Sequence, residues 1–215
     1  MEKRYESDMT RKEKRQNELK KLKSMTFKQK AAYIWEYYKG VFAGIIIACV
    51  IISIGVQMFQ NSQLKSLLSI AVVDSNYNHD EQVEALQNDF LAYAGTGDKH
   101  EVVDVDTSLL SGDDYNAVVK MTVVMGAGTA DMMFCGEETY KKYKQQEAFL
   151  SWKEVLGDDY SKYEEYMTDD GRLDLEKCPN WEKYNMVYYS PVYAVVMSSS
   201  KNLENGIKFL EMMVQ

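Results

Sequence analysis

The sequence predicts an α/β domain in which helices flank a largely parallel sheet, preceded by one transmembrane helix. Three observations carry this. From Leu67 onward, strand-like apolar runs alternate with amphipathic helical stretches. Upstream, Val41–Phe59 (VFAGIIIACVIISIGVQMF) is a run of 19 residues with no charge and one amide, Gln57. The charge also reverses across that run: residues 1–40 hold 12 Lys/Arg against 6 Asp/Glu, whereas residues 60–215 hold 13 against 27. With 46% hydrophobic and 27% charged residues, the 215-residue chain is neither disordered nor collagen-like. Two prolines, three cysteines and two histidines argue against a proline-rich linker, a disulfide scaffold and a multi-histidine metal enzyme.

Residues 1–40 read as a basic cytoplasmic arm. Its first 25 residues are rich in Lys, Arg and Glu, cannot bury a core, and form a solvated helix or stay disordered. A basic stretch beside a membrane also attracts anionic lipid. Residues 41–59 are the transmembrane helix: at about 1.5 Å per residue they cover roughly 28 Å, close to the hydrocarbon thickness of about 30 Å. Tyr33, Trp35, Tyr37 and Tyr38 precede it at the level that suits aromatic rings, with Lys28, Lys30 and Lys39 among them. Lys65 alone follows within a few residues, so the N-terminus is expected in the cytoplasm and the acidic remainder outside, in a cell-membrane protein. A cleaved signal peptide has an apolar stretch of about 7–15 residues behind a short basic start, so a retained signal anchor is expected. Ile46-Ile47-Ala48-Cys49 has the look of a lipobox, but the apolar run continues past the cysteine.

Residues 60–67 form a polar connector, and residues 68–215 the extracytoplasmic domain. Leu68–Val73 is a buried strand ending in the polar turn Asp74–Asn78, where Asn78 with Glu81 is placed to cap the next helix. In that helix Val83, Leu86, Phe90 and Tyr93 share a face, and Gly95 and Gly97 end it. Glu101–Val105 alternates as a second strand. Asp113 or Asp114 caps Tyr115–Met125, a segment whose Met121–Met125 part is also strand-like. Gly126 and Gly128 close it before a third strand, Asp131–Cys135. Glu137–Glu147 is a polar helix, Phe149–Trp152 brings large apolar groups, and Gly157–Trp181 is an irregular acidic excursion. Val192–Met197 is a last strand, and Asn202 starts a helix with Leu203, Ile207, Leu210 and Val214 as its stripe.

Catalytic constellations are missing from this pattern. His79 and His100 stand outside any nucleophile motif and read as solvated residues, so no enzyme is expected. Asp113-Asp114, Asp158-Asp159 and Asp169-Asp170 lack calcium-loop spacing, so no metal is expected. Gly126-Ala127-Gly128 precedes a strand, whereas phosphate-binding glycines open a helix, so no cofactor is expected. Glutamates dilute the basic arm and no groove-reading motif follows, so no nucleic acid is expected as a partner. Cys135 and Cys178 both lie beyond the span, and nothing in the sequence sets their separation. The many late tyrosines, Tyr140 to Tyr189, suit sugar or peptide contact and equally suit satellite packing.

Val118–Asp131 (VVKMTVVMGAGTAD) with Met132-Met133-Phe134 resembles the helix–glycine–Asp–strand passage of bacterial extracellular solute-binding proteins of the two-lobed, type 2 periplasmic-binding-like class. Met197–Asn202 (MSSSKN) with Ile207–Leu210 (IKFL) is similar to that family's return segment, and Phe149–Leu156 (FLSWKEVL) matches a further element. The likeness covers residues 68–156 and 188–213, and Ala130 stands where the family often has proline. It implies a single membrane-anchored lobe with a binding or sensory role and no catalysis. A site is then expected at the carboxyl ends of the strands, at Asp74, Ser75, Asn76, Gly136 and Glu137, with Trp152 as a wall. The partners expected are the lipid bilayer, a small solute, sugar or peptide, and a membrane protein. The alternative is a structural subunit of an envelope complex without a small ligand, with Gly40-x-x-x-Gly44 pairing helices.

Overall fold

Hydroxyl residues set the first two helices. The computed structural model describes residues 10–215, apart from the side chains of Ile34 and Tyr37; the start of the basic arm, residues 1–9, lies outside the described residues. Helix α1 (Arg11–Ser24) opens on a capping box in which Thr10 accepts from the Glu13 N–H and the Glu13 carboxylate accepts from the Thr10 N–H at 2.9 Å. It buries none of its residues, as its composition requires. Thr26 starts α2 (Phe27–Asn61), and its N–H donates to the Gln29 side chain at 3.1 Å. Within α2, Tyr38–Asn61 is a 24-residue stretch long and apolar enough to cross a membrane, with no part of it buried. The helix therefore extends beyond the expected span at its amino end, and the aromatic residues before Val41 lie on the same continuous rod.

The chain divides into two units between Ser62 and Gln63. The second unit, Gln63–Gln215, contains β1 (Lys65–Val73), α3 (Asp80–Ala94), β2 (Glu101–Leu109), α4 (Tyr115–Ala127), β3 (Met132–Cys135) and α5 (Glu137–Lys144). It continues through β4 (Phe149–Leu150), α6 (Trp152–Leu156), β5 (Leu173–Asp174), α7 (Trp181–Tyr184), β6 (Tyr193–Met197) and α8 (Leu203–Val214). The ambiguous segment is helix α4: the Asp114 carboxylate accepts from the Asn116 and Ala117 N–H groups, and Gly128 closes the helix at φ +61°, a left-handed position suited to glycine. The expected Asn78 cap is corrected, because His79 holds the N-cap of α3 and its Nδ1 bonds back to the Asn76 carbonyl. The stripe of α8 is also corrected: Phe209, Leu210 and Met213 are the fully buried members, while Leu203 is exposed.

The sheet runs β2-β1-β3-β6-β4, with β5 also on β6. It is mixed rather than largely parallel: β2, β1 and β3 are parallel, and β6 is antiparallel to β3, β4 and β5. The physical reason lies in where the acidic excursion ends. It returns the chain to the end of the sheet where β3 finishes, so Tyr193 opens β6 opposite Cys135. Alternate residues face opposite ways on a strand, and each face is covered. Leu68, Ile70, Val72, Met132 and Phe134 join α3, α8 and Trp152 in one core; Ala71, Val73, Met133 and Cys135 join α4 and α5 in the other. Cys135 and Cys178 are buried free thiols, and desolvation pushes both up to about 12.

Candidate functional site

Because β1 lies between β2 and β3, the two crossovers diverge: α3 covers one face and α4 the other. A crevice is expected where such connections part, outside the carboxyl ends of β1 and β3. A cleft of ≈ 380 Å³ lies there. Asp74 and Ser111 follow β1 and β2, Gly136–Thr139 leads from β3 into α5, and Tyr188–Pro191 supplies the remaining wall before β6.

Each wall has a local cause. Asp74 adopts a left-handed φ of +51°, a conformation Asp tolerates better than most residues, and its Oδ1 accepts the Ser111 N–H at 3.0 Å. That bond ties the turns after β1 and β2 together. Gly136 provides space, since a Cβ there would stand 3.3 Å from Cδ2 of Tyr189. Tyr189 in turn donates its hydroxyl to the Phe134 carbonyl at 3.4 Å, and burial raises its phenol above the ordinary value.

Glu137 is held from behind. Arg172, with 11% of its side chain exposed, donates Nη1 to Glu137 Oε2 and Nε to Asp170 Oδ1 at 2.7 Å. Its guanidinium is sandwiched between the Tyr140 and Tyr193 rings, 4.3 and 4.0 Å from their centroids. Lys141 holds the other Glu137 oxygen at 3.0 Å. The Arg172 bond, then that of Lys141, keep the Glu137 carboxyl below the usual range. At Asp170, desolvation pushes upward, but hydrogen bonds from Thr168, Arg172 and Lys144 prevail and hold it at about 2. Both carboxylates thus contribute stability that is present above their unfolded-state pKa values and lost as pH falls through the folded ones. Arg172→Leu is expected to be less stable than wild type above about pH 5, with the gap narrowing toward about pH 2. Thermal melts of both proteins across that range check this; a gap that does not change with pH would remove the ion pairs from the account.

Of the residues expected at the site, Asp74, Gly136 and Glu137 line the cleft together. Ser75 and Asn76 stand beside it as clamps: Ser75 Oγ donates to the Thr107 carbonyl at 2.8 Å and pairs with Val187, while the Asn76 N–H donates to the Met186 carbonyl at 2.9 Å. Asn76 Oδ1 is buried without a hydrogen-bond partner. Trp152 is corrected: it has no exposed surface and is a core residue whose Nε1 donates to the Ala194 carbonyl at 2.9 Å. The walls at Ser111, Thr139 and Ser190 are not legible in the sequence as site residues, and Tyr188 and Tyr189, which suit sugar or peptide contact, cannot be placed at the cleft from it, because only the sheet order brings these residues to one end. The doublet Tyr188-Tyr189 ahead of a strand was the available signal. The acidic pairs divide among tasks, with Asp114 capping α4, Asp113 paired with Lys142, and Asp170 on Arg172. No protein-family model, no curated protein and no solved structure matches this chain.

Proposed function

We propose that this is a single-pass membrane protein, N-terminus cytoplasmic, whose outer α/β unit acts as a non-catalytic binding or sensory lobe like that of a solute-binding protein. The observation that supports the reading is the coincidence of the cleft with the divergence of crossovers between β1 and β3, with Asp74, Gly136 and Glu137 on its walls. The apolar Tyr38–Asn61 stretch and the basic residues before it support the anchor and its direction.

The test is thermal unfolding of the full chain in detergent micelles against sugars, amino acids and short peptides. A ligand at about 100 times its Kd adds about 2.7 kcal/mol, which is several degrees of midpoint. The shift is expected to vanish in Asp74→Ala. A flat screen from a cooperatively unfolding protein would reject a small ligand and favour the second reading, a scaffolding subunit. That reading draws on the open faces of Gly40 and Gly44, which have no neighbour within 4 Å. Under it, a crosslinked membrane partner is lost when the span is replaced by polyleucine.

A further inference from the structure

The end of the sheet that holds the cleft also concentrates exposed apolar surface. Among the large apolar side chains of the outer unit, the four most exposed are Tyr77 at 99%, Tyr115 at 81%, Tyr188 at 73% and Leu110 at 57%. The topology puts all four at this one end. Tyr77 follows β1, Leu110 follows β2, Tyr115 opens α4, and Tyr188 precedes β6, whose antiparallel direction brings its start to the carboxyl ends of the others. The bond from the Asn76 N–H to the Met186 carbonyl and the Ser75–Val187 bridge fasten the Tyr77 and Tyr188 segments to each other. Solvated tyrosines grouped in this way are characteristic of contact surfaces, since each ring offers a large face at small cost in side-chain freedom.

Charge selects the occupant. The rim segments 74–81, 110–116, 136–142 and 186–191 carry seven carboxylates, and their two lysines, Lys141 and Lys142, are already paired with Glu137 and Asp113. Asp80, Glu81 and Glu138 hold no ion pair among the described residues, and no cation lines the cleft. A second copy of the chain docking through the same face would oppose carboxylates to carboxylates, and an anionic ligand would meet the same repulsion. Lys and Arg side chains answer both features, pairing with the carboxylates and stacking over tyrosine faces.

We infer that this rim docks a cationic polypeptide segment, with Tyr77 and Tyr188 as its aromatic contacts and Asp80, Glu81 and Glu138 as its charge contacts. The inference rests on the binding role proposed for the cleft and names the partner class. Charge steers the encounter and the rings hold the bound segment, so binding is salt-sensitive yet does not reduce to net charge.

The experiment uses the full chain in nanodiscs of uncharged phosphatidylcholine and fluorescence anisotropy with labelled octapeptides. One alternates lysine and tyrosine, one glutamate and tyrosine, one serine and tyrosine, and a neutral oligosaccharide serves as the fourth probe. The lysine peptide is expected to bind, and to weaken about tenfold in Tyr77→Ser/Tyr188→Ser and in Asp80→Asn/Glu81→Gln/Glu138→Gln. All five positions are exposed, so these variants retain the core. The charge-matched control Asp104→Asn/Glu147→Gln/Glu204→Gln, away from the rim, is expected to bind as wild type. Any affinity of the glutamate peptide for the basic arm is expected to be the same in all variants. Unchanged lysine-peptide binding in the tyrosine pair, or equal loss in the control, would overturn the inference. Binding of the oligosaccharide or the serine peptide, abolished by Asp74→Ala, with none of the lysine peptide, would overturn the partner class and leave the cleft's binding role standing. Failure of every probe together with a flat solute screen would reject both.

Discussion

Trp152→Ala is expected to destabilise the α/β unit by about 3–5 kcal/mol, the range for removing a large aromatic from a packed core. Trp152 has no exposed surface and belongs to the cluster that holds Phe134, Trp181 and Phe209. Its Nε1–H donates to the carbonyl of Ala194 at 2.9 Å, in the strand that reverses the sheet's direction. The alanine variant therefore loses volume and a buried hydrogen bond together. Trp152→Phe retains part of the volume and loses the donor, so it should fall between wild type and alanine. Urea denaturation of the three proteins at constant m reads the order. A loss under about 1 kcal/mol for the alanine variant would mean that this indole is not packed as described.

The second large effect is expected at Asp131, whose buried carboxylate collects four hydrogen bonds. Its Oδ2 accepts from the Ser69 N–H and Asn202 Nδ2, each at 3.0 Å, and its Oδ1 from Ser200 Oγ at 2.9 Å and the Lys201 N–H at 3.3 Å. One side chain thus joins the start of β3 to β1 and to the turn between β6 and α8. Asp131→Ala leaves these donors without their acceptor and should cost about 3–4 kcal/mol, with Asp131→Asn recovering part of it through its single carbonyl. Asp131 stands at the amino end of β3 and the cleft at the carboxyl end, so ligand or peptide affinity under native conditions should not move with stability. A drop in affinity as large as the drop in stability would show that the two ends of the sheet are coupled.

These two residues also mark how sequence and structure divide the explanation. Asp131 was conspicuous in the glycine–Asp–strand passage, and the hydrogen bonds give the reason for an Asp there: it is a structural hub at the end away from the cleft. Trp152, in the similar FLSWKEVL stretch, was expected on the rim. Burial instead follows from its position just after β4, where α6 turns it under β6 toward the Phe134 side of the sheet.

Legible in the sequence were the apolar stretch of α2, most of the alternation of strands and helices from β1 to β3, a cap at Asp113 or Asp114 that the fold places on Asp114, and three of the residues that line the cleft. Each is encoded locally, in an uninterrupted apolar run, a repeat of two or 3.6, a side chain beside its own helix end, or a turn that follows a strand. Long-range packing makes the sheet mixed, closes the cleft with Tyr188–Pro191, clamps Arg172 between Tyr140 and Tyr193 behind Glu137, and gathers Tyr77, Leu110, Tyr115 and Tyr188 on one rim. Those outcomes depend on which end of the sheet an irregular excursion of the chain returns to. Pairing across dozens of residues is selected by the burial of whole faces, which no short window of sequence contains.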